Sequence, residues 1–285
     1  MSDSMHGKVV IVTGANTGIG KATALGLARR GATTVLACRD LEKGQTAMAE
    51  IRAQADASEL HLLRLDLASL ESVRAFAGDF AARFSRLDVL IENAGVSTGQ
   101  RQVSADGYEL DFAVNHLGHF LLTRLLLPQL QAAAPSRIVV VSSSVHKGAA
   151  LDFDDLQGER RWSMMGSYSR SKLANMLFTR TLAKRLEGSG VTVNALHPGV
   201  VASELARDFP APFRWLARLL FKSTEAGART SLFVATAPEL ASVSGGYFAN
   251  ARAAKPGKAA LDDVAAERLW EVSEKLVALE SGPTA

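Results

Sequence analysis

Tyr168 and Lys172 stand four residues apart in the run Tyr168-Ser169-Arg170-Ser171-Lys172. On a helix this spacing puts both side chains on one face, one turn apart. A phenol is a poor acid or base near neutrality, because its ordinary pKa is about 10. A fixed ammonium beside it favours the phenolate and draws that pKa toward the working range. The pair could then pass a proton to or from a carbonyl or alcohol oxygen. Tyr and Lys at this spacing also recur by chance on exposed helices, so the pair gains weight only from what lies upstream.

Upstream lies the run Thr13-Gly14-Ala15-Asn16-Thr17-Gly18-Ile19-Gly20. It follows an apolar β-branched stretch and precedes a helical pattern. Glycines there let the backbone turn sharply and approach a pyrophosphate, while the helix N-terminus offers free N–H groups and a favourable dipole. An acidic residue at the end of the next strand would bind a ribose 2′-hydroxyl and repel a 2′-phosphate. This chain has Cys38-Arg39 there, with Lys43 one turn on. A guanidinium can grip a phosphate through two hydrogen bonds. The expected cofactor is therefore NADP(H) in preference to NAD(H), NAD(H) remaining possible; the alternative for Arg39 is a solvated charge at a strand end.

These groups need a scaffold. Strands are expected over 8–13, 33–38, 61–65, 87–91, 137–142, 191–196 and 245–249. They are nearly continuous in apolar residues, as strands buried on both faces of a parallel sheet are. Helices are expected over 18–30, 41–55, 69–84, 107–131, 167–187 and 262–279. The alternation implies an α/β, doubly wound parallel sheet flanked by helices on both faces, of Rossmann type. No linker-like composition divides residues 1–285, so a single domain is expected. Two stretches break the rhythm: the long connection 144–165, and a region about 199–224 holding Phe209, Phe213, Trp215, Leu219 and Phe221. The second could be a substrate lid, a membrane-surface patch or plain packing.

The chain has 285 residues, is 47% hydrophobic and carries a net charge of +3. That is enough for a large core, and too mild and dispersed a charge to suggest nucleic acid. Cys38 is the only cysteine, which excludes an internal disulfide and a cysteine metal site. No apolar run approaches the roughly 20 residues that span a bilayer. A soluble, cytoplasmic protein without a transmembrane anchor is expected.

Taken together the chain resembles the short-chain dehydrogenase/reductase family over roughly 8–248. The carriers are the TGxxxGIG-like turn at Thr13–Gly20, Asp66-Leu67, Asn93-Ala94-Gly95, Asn115, Ser143, Tyr168-x-x-x-Lys172 and Pro198-Gly199. Finer segments, such as Val114-Asn115-His116-Leu117-Gly118-His119 and Tyr168-Ser169-Arg170-Ser171-Lys172-Leu173-Ala174-Asn175, resemble its retinol dehydrogenase-like branch. The resemblance implies an oxidoreductase moving a hydride between nicotinamide and a small-molecule carbonyl or alcohol. It makes Tyr168 the acid or base, with Lys172 lowering its pKa and holding the ribose. Ser143 steadies the substrate oxygen and Asn115 holds a water. It assigns cofactor contacts to Gly14, Asn16, Thr17, Gly18, Ile19, Gly20, Arg39, Lys43, Asp66, Leu67, Asn93, Ala94, Gly95, Pro198, Gly199, Val201 and Ser203, besides Tyr168 and Lys172. It also implies a homodimer or homotetramer built through the helices around Asn115 and Tyr168. Glu92 departs from the family's NNAG pattern, and Ser203 stands where threonine is common.

Other readings stay in view. Ser142, Ser143 and Ser144 are consecutive, so the active serine is ambiguous. His116 and His119 share a helix face, but no acidic cluster nearby looks like a ligand set, and structural histidines are expected. Ser143 with His146 or His197 would be a hydrolase without a G-x-S-x-G elbow. A nucleotide-sugar epimerase or dehydratase shares the Tyr/Lys pair but differs in glycine spacing. A non-catalytic NADP-binding regulator would need none of these side chains. The aromatic residues after Pro198 suggest a lipophilic substrate.

Overall fold

The apolar runs form strands because each is buried on both faces. The computed structural model describes residues 4–55, 59–199 and 224–278. Strands β1 (Val9–Thr13), β2 (Thr33–Cys38), β3 (Leu60–Arg64), β4 (Val89–Glu92), β5 (Ser136–Val141), β6 (Val191–His197), β7 (Tyr247–Ala249) and β8 (Arg252–Ala253) make one sheet. Its order is β3-β2-β1-β4-β5-β6-β7-β8, parallel except for the antiparallel β7–β8 pair. The chain reverses its direction of winding between β1 and β4, where a crevice opens at the carboxyl ends of the strands.

Helices cover both faces. Val10, Val12, Leu36 and Ile91 point to one side and pack with α1 (Gly18–Ala28), α2 (Leu41–Arg52) and α7 (Thr224–Thr236). Ile11, Val35, Leu90 and Ile138 point to the other. There they meet α3 (Leu70–Ala81), α5 (Gly118–Ala132), α6 (Met164–Arg185) and α8 (Asp263–Leu276). In α3 the residues Val73, Phe76 and Phe80 form the buried stripe, at 0–1% exposure. The Ser69 side chain caps this helix by accepting from Ser72 N. The cap is worth about 1 kcal/mol, whereas truncating one such phenylalanine costs about 3–5 kcal/mol, so packing sets the helix in place.

The structure adds detail that the sequence reading lacked. The helix expected over 107–131 contains α4 (Leu110–Phe112), a π turn at Ala113–Leu117, and α5. Helix α7 and strand β8 were not anticipated; α7 buries mostly small residues such as Ala228, Thr230 and Ser231, which give little periodic signal. The connection before α6 is held by Asp155, which accepts from the backbone N–H groups of Glu159, Arg160 and Arg161 at 2.8–3.2 Å. The C-terminal helix α8 packs on α5 and α6. His116 meets Ser273, and Trp270 packs against Phe120 and Phe178 with ring centroids 4.9 and 6.0 Å apart.

Among the described residues no helix is long and apolar enough to cross a membrane. The expected lid, save its end residues Gly199 and Thr224, lies outside the described residues, as do Val201 and Ser203.

Candidate active site

The strand ends are tied together before any ligand is considered. Thr13 Oγ1 accepts from the backbone N–H groups of Asn93 and Ala94, both at 2.9 Å, and Asn93 Nδ2 donates to Thr13 O at 2.8 Å. His119 completes this knot, its Nε2 lying 2.9 Å from Thr13 Oγ1 and its Nδ1 3.3 Å from Asn115 O. Burial pushes His119 down to about 3, so the ring is neutral and has one N–H. A carbonyl can only accept, so the proton sits on Nδ1 and Thr13 donates to Nε2. His119 is thus structural, and so is His116, which burial likewise pushes down to about 3 and which meets Ser273 at 2.8 Å.

A cleft of about 750 Å³ runs along the strand ends. The glycine turn borders it. Gly14 has φ +65°, and a Cβ on Gly20 would lie 2.3 Å from Gly14 O and 2.5 Å from Asn93 Nδ2. The third glycine is therefore required for α1 to pack onto the turn. Thr17 is the N-cap of α1 but makes no side-chain capping bond, and the first turn has no acidic residue. The helix thus presents unsatisfied N–H groups and positive potential to the cleft, a cradle that suits a pyrophosphate.

Every described residue assigned to the cofactor lines this one cleft: Gly14, Asn16, Thr17, Gly18, Ile19, Gly20, Arg39, Lys43, Asp66, Leu67, Asn93, Ala94, Gly95, Tyr168, Lys172, Pro198 and Gly199. Arg39 is exposed there. The Lys43 ammonium also pairs with Asp40 at 3.2 Å, and Asp40 caps α2. Cys38 is buried, and desolvation pushes its thiol up to about 12, so it is an inert strand residue.

At the other end of the cleft stand Ser143, Tyr168 and Lys172. The serine ambiguity resolves by elimination. Ser142 Oγ donates to Lys172 O at 2.8 Å, and Ser144 is exposed at the start of a 3-10 turn. Ser143 is the serine whose side chain stands near enough to favour the Tyr168 phenolate. His146 is engaged away from the Ser143 hydroxyl: its Nδ1 faces the Ser143 carbonyl at 2.5 Å, and its Nε2 accepts from Gly257 N.

The pKa of Tyr168 moves opposite to expectation. Burial pushes the phenol up to about 12, opposed by the Ser143 hydrogen bond and reinforced by the Asp111 charge. Lys172 lies with Nζ 5.6 Å from the Tyr168 ring centroid and donates to Val141 O at 3.1 Å. Burial pushes Lys172 down to about 8, against the pull of Asp111 and Glu92. The cost of burying a phenolate outweighs the help of a cation that is itself desolvated and turned toward a carbonyl.

Asn115 sits in the π turn and does not line the cleft. Its side chain accepts from Val96 N at 2.8 Å and donates to Val96 O and Ser171 Oγ, both at 2.9 Å. It clamps the segment after β4 to α6. Sequence reasoning missed Val96, Val145, Met164 and Met165, which also line the cleft. Their only signal was adjacency to the matched motifs.

Residues 8–212 match the family model described as short chain dehydrogenase. The chain belongs to the short-chain dehydrogenase/reductase family. Within it the chain falls in the retinol dehydrogenase-like branch. It is 49% identical to retinol dehydrogenase 13 of Homo sapiens, covering 98% of this chain and 87% of that protein. It is 50% identical to retinol dehydrogenase 11 of Mus musculus, covering 96% and 88%. Among solved structures, an uncharacterized protein from Mycobacterium paratuberculosis superposes with a TM-score of 0.81 at 36% identity, covering 98% and 97% of the two chains. The RhlG/NADP active-site complex of Pseudomonas aeruginosa superposes with a TM-score of 0.72 at 26% identity, covering 86% and 95%. This short-chain dehydrogenase is accordingly an oxidoreductase acting on a small-molecule alcohol or carbonyl by hydride transfer.

Proposed function

We propose that the protein is an NADP(H)-preferring oxidoreductase that interconverts a lipophilic carbonyl compound and its alcohol. The observation that carries this reading is the single cleft holding Ser143, Tyr168 and Lys172 at one end and the glycine turn with Arg39 at the other. When bound, the nicotinamide supplies or accepts the hydride. The chain's own residues do the rest. The N–H groups opening α1 bind the pyrophosphate, and Arg39 grips the 2′-phosphate. Asp66 and Leu67 border the adenine, Pro198 and Gly199 flank the nicotinamide, and Val201 and Ser203 are assigned contacts beside them.

In reduction, Tyr168 donates its hydroxyl proton to the substrate oxygen. A phenol pushed up to about 12 is fully protonated at neutral pH, so the acid is ready. In oxidation, Tyr168 must act as phenolate, so that direction gains with rising pH. Ser143 donates a hydrogen bond to the substrate oxygen as charge develops there. Lys172 holds the ribose hydroxyls and supplies positive charge near the reacting oxygen. Asn115 positions Lys172 by clamping α6.

The apolar side chains Val96, Val145, Met164 and Met165 border the cleft and favour a lipophilic substrate. The relatives named retinol dehydrogenases make retinal and retinol the first compounds to try. NADPH and NADH oxidation measured with all-trans-retinal, steroid ketones and aromatic aldehydes tests the reading. NADPH-dependent turnover of a lipophilic carbonyl is the expected result; a clear preference for NADH, or for polar substrates, overturns it.

A further inference from the structure

Glu92 ends strand β4, one position before the Asn93 that locks onto Thr13. Its side chain is almost wholly buried, at 1% exposure. One carboxyl oxygen accepts from Thr123 Oγ1 on α5, and the other, Oε2, is buried with no hydrogen-bond partner. A buried carboxyl left half-satisfied is unfavourable unless a charge answers it.

The strand register shows which charge that is. Glu92 lies abreast of Val140 on β5. The next residue, Val141, provides the carbonyl that accepts from Lys172 Nζ. Leu90 shares a strand face with Glu92, two residues away, and belongs to the same core cluster as Leu173 and Leu177 of α6. Glu92 and Lys172 therefore approach one strand end from one side of the sheet, and their charges attract.

The other titratable groups facing Lys172 are Asp111 from α4, His119 from α5 and Tyr168 from its own helix. His119 is neutral, as shown above. Asp111 has one oxygen engaged by Thr98 N and Oγ1 and one bare. Glu92 faces Thr123, which is uncharged, and Lys172.

We propose that Glu92 is a positioning residue whose carboxylate keeps the Lys172 ammonium charged as pH rises. That carboxylate holds the proton on Lys172, because an anion beside an ammonium raises its proton affinity. Burial pushes Glu92 up and Lys172 down, and the charge of each opposes the shift of the other. The carboxylate–ammonium arrangement is favoured because opposite charges attract strongly away from water. The inference deepens the role given to Lys172 under the proposed function.

The test uses the full chain labelled with ε-13C lysine, with the Lys172 resonance identified by its loss in Lys172→Met. Glu92→Gln keeps an acceptor for Thr123 and removes the charge. The Lys172 titration midpoint is expected to fall, with proton affinity reduced at least threefold. Glu92→Asn, which restores the residue type of the family pattern, serves as a second variant and is expected to move the midpoint the same way. The alkaline limb of kcat/KM for carbonyl reduction is expected to move to lower pH in both, and Glu92→Asp to recover part of the shift. A Lys172 midpoint unchanged or raised in the charge-removed variants overturns the proposal. If wild type failed to oxidise NADPH with any carbonyl, the functional reading would fall while the ligand-free titration still decided this one.

Discussion

The two ends of the cleft each carry a cation, in opposite surroundings. Arg39 is exposed at the end of β2. Lys172 is 3% exposed, with acids on two of its sides. A solvated guanidinium is charged at every working pH and acts through a field that salt screens. A buried ammonium is shielded from salt, and its charge depends on pH and on its neighbours. One end is therefore suited to choosing a ligand and the other to timing a proton. The contrast predicts that perturbations at the two ends will separate cleanly into selectivity and pH dependence.

The largest effect is expected at the buried end. Tyr168→Phe removes the group proposed to exchange a proton with the substrate oxygen. Positioned acid–base groups contribute about 10²–10⁴-fold, and a loss of kcat in that range is expected. Dinucleotide affinity, measured by fluorescence titration, should change little. Turnover surviving near wild type would remove Tyr168 from the chemistry.

Next comes the exposed end. Arg39→Ala should lower the ratio of kcat/KM for NADPH over NADH by about 10–100-fold, since a hydrogen bond to a charged group is worth about 1.5–3 kcal/mol. The pH profile should stay where it is. A ratio that does not move would make Arg39 a bystander. Ionic strength sharpens the same contrast. Raising salt from low to physiological levels shortens the screening length to about 8 Å, which should weaken the NADPH preference several-fold while leaving the alkaline limb in place. A limb that moves with salt would mean Lys172 is far more solvated than its burial implies.

The two ends also differed in how plainly they could be read from the sequence. The glycine turn, Arg39 and the Tyr168/Lys172 spacing are local features, each set by a few adjacent residues, and their placement followed from the alternation of strands and helices. The sign of the Tyr168 shift was not legible, because it depends on burial and on Asp111, which lies far away in the chain. Asn115 was found, but its side-chain bonds to Val96 and Ser171 were not, since the π turn that directs its amide there leaves no periodic trace. The cover that α8 places over α5 and α6 was hidden for a similar reason. Asp262–Leu276 reads as an amphipathic helix, but nothing local says which face it seeks.

The smallest expected effect separates the two acids that flank Lys172. Asp111 raises the proton affinity of both Tyr168 and Lys172, whereas Glu92 acts on Lys172. Burial pushes Asp111 up to about 7, so its charge is present only toward the alkaline side. Asp111→Asn retains an oxygen for Thr98 and removes that charge. The phenol then gives up its proton more readily, and the rising limb of alcohol oxidation should move to lower pH by about half a unit, about 0.7 kcal/mol. Glu92→Gln should leave that rising limb in place and move only the limb set by Lys172. Profiles of oxidation and reduction recorded side by side for both variants distinguish the two. If both substitutions displaced both limbs equally, the acids would act as one undivided field, and the assignment of separate partners to Tyr168 and Lys172 would fail.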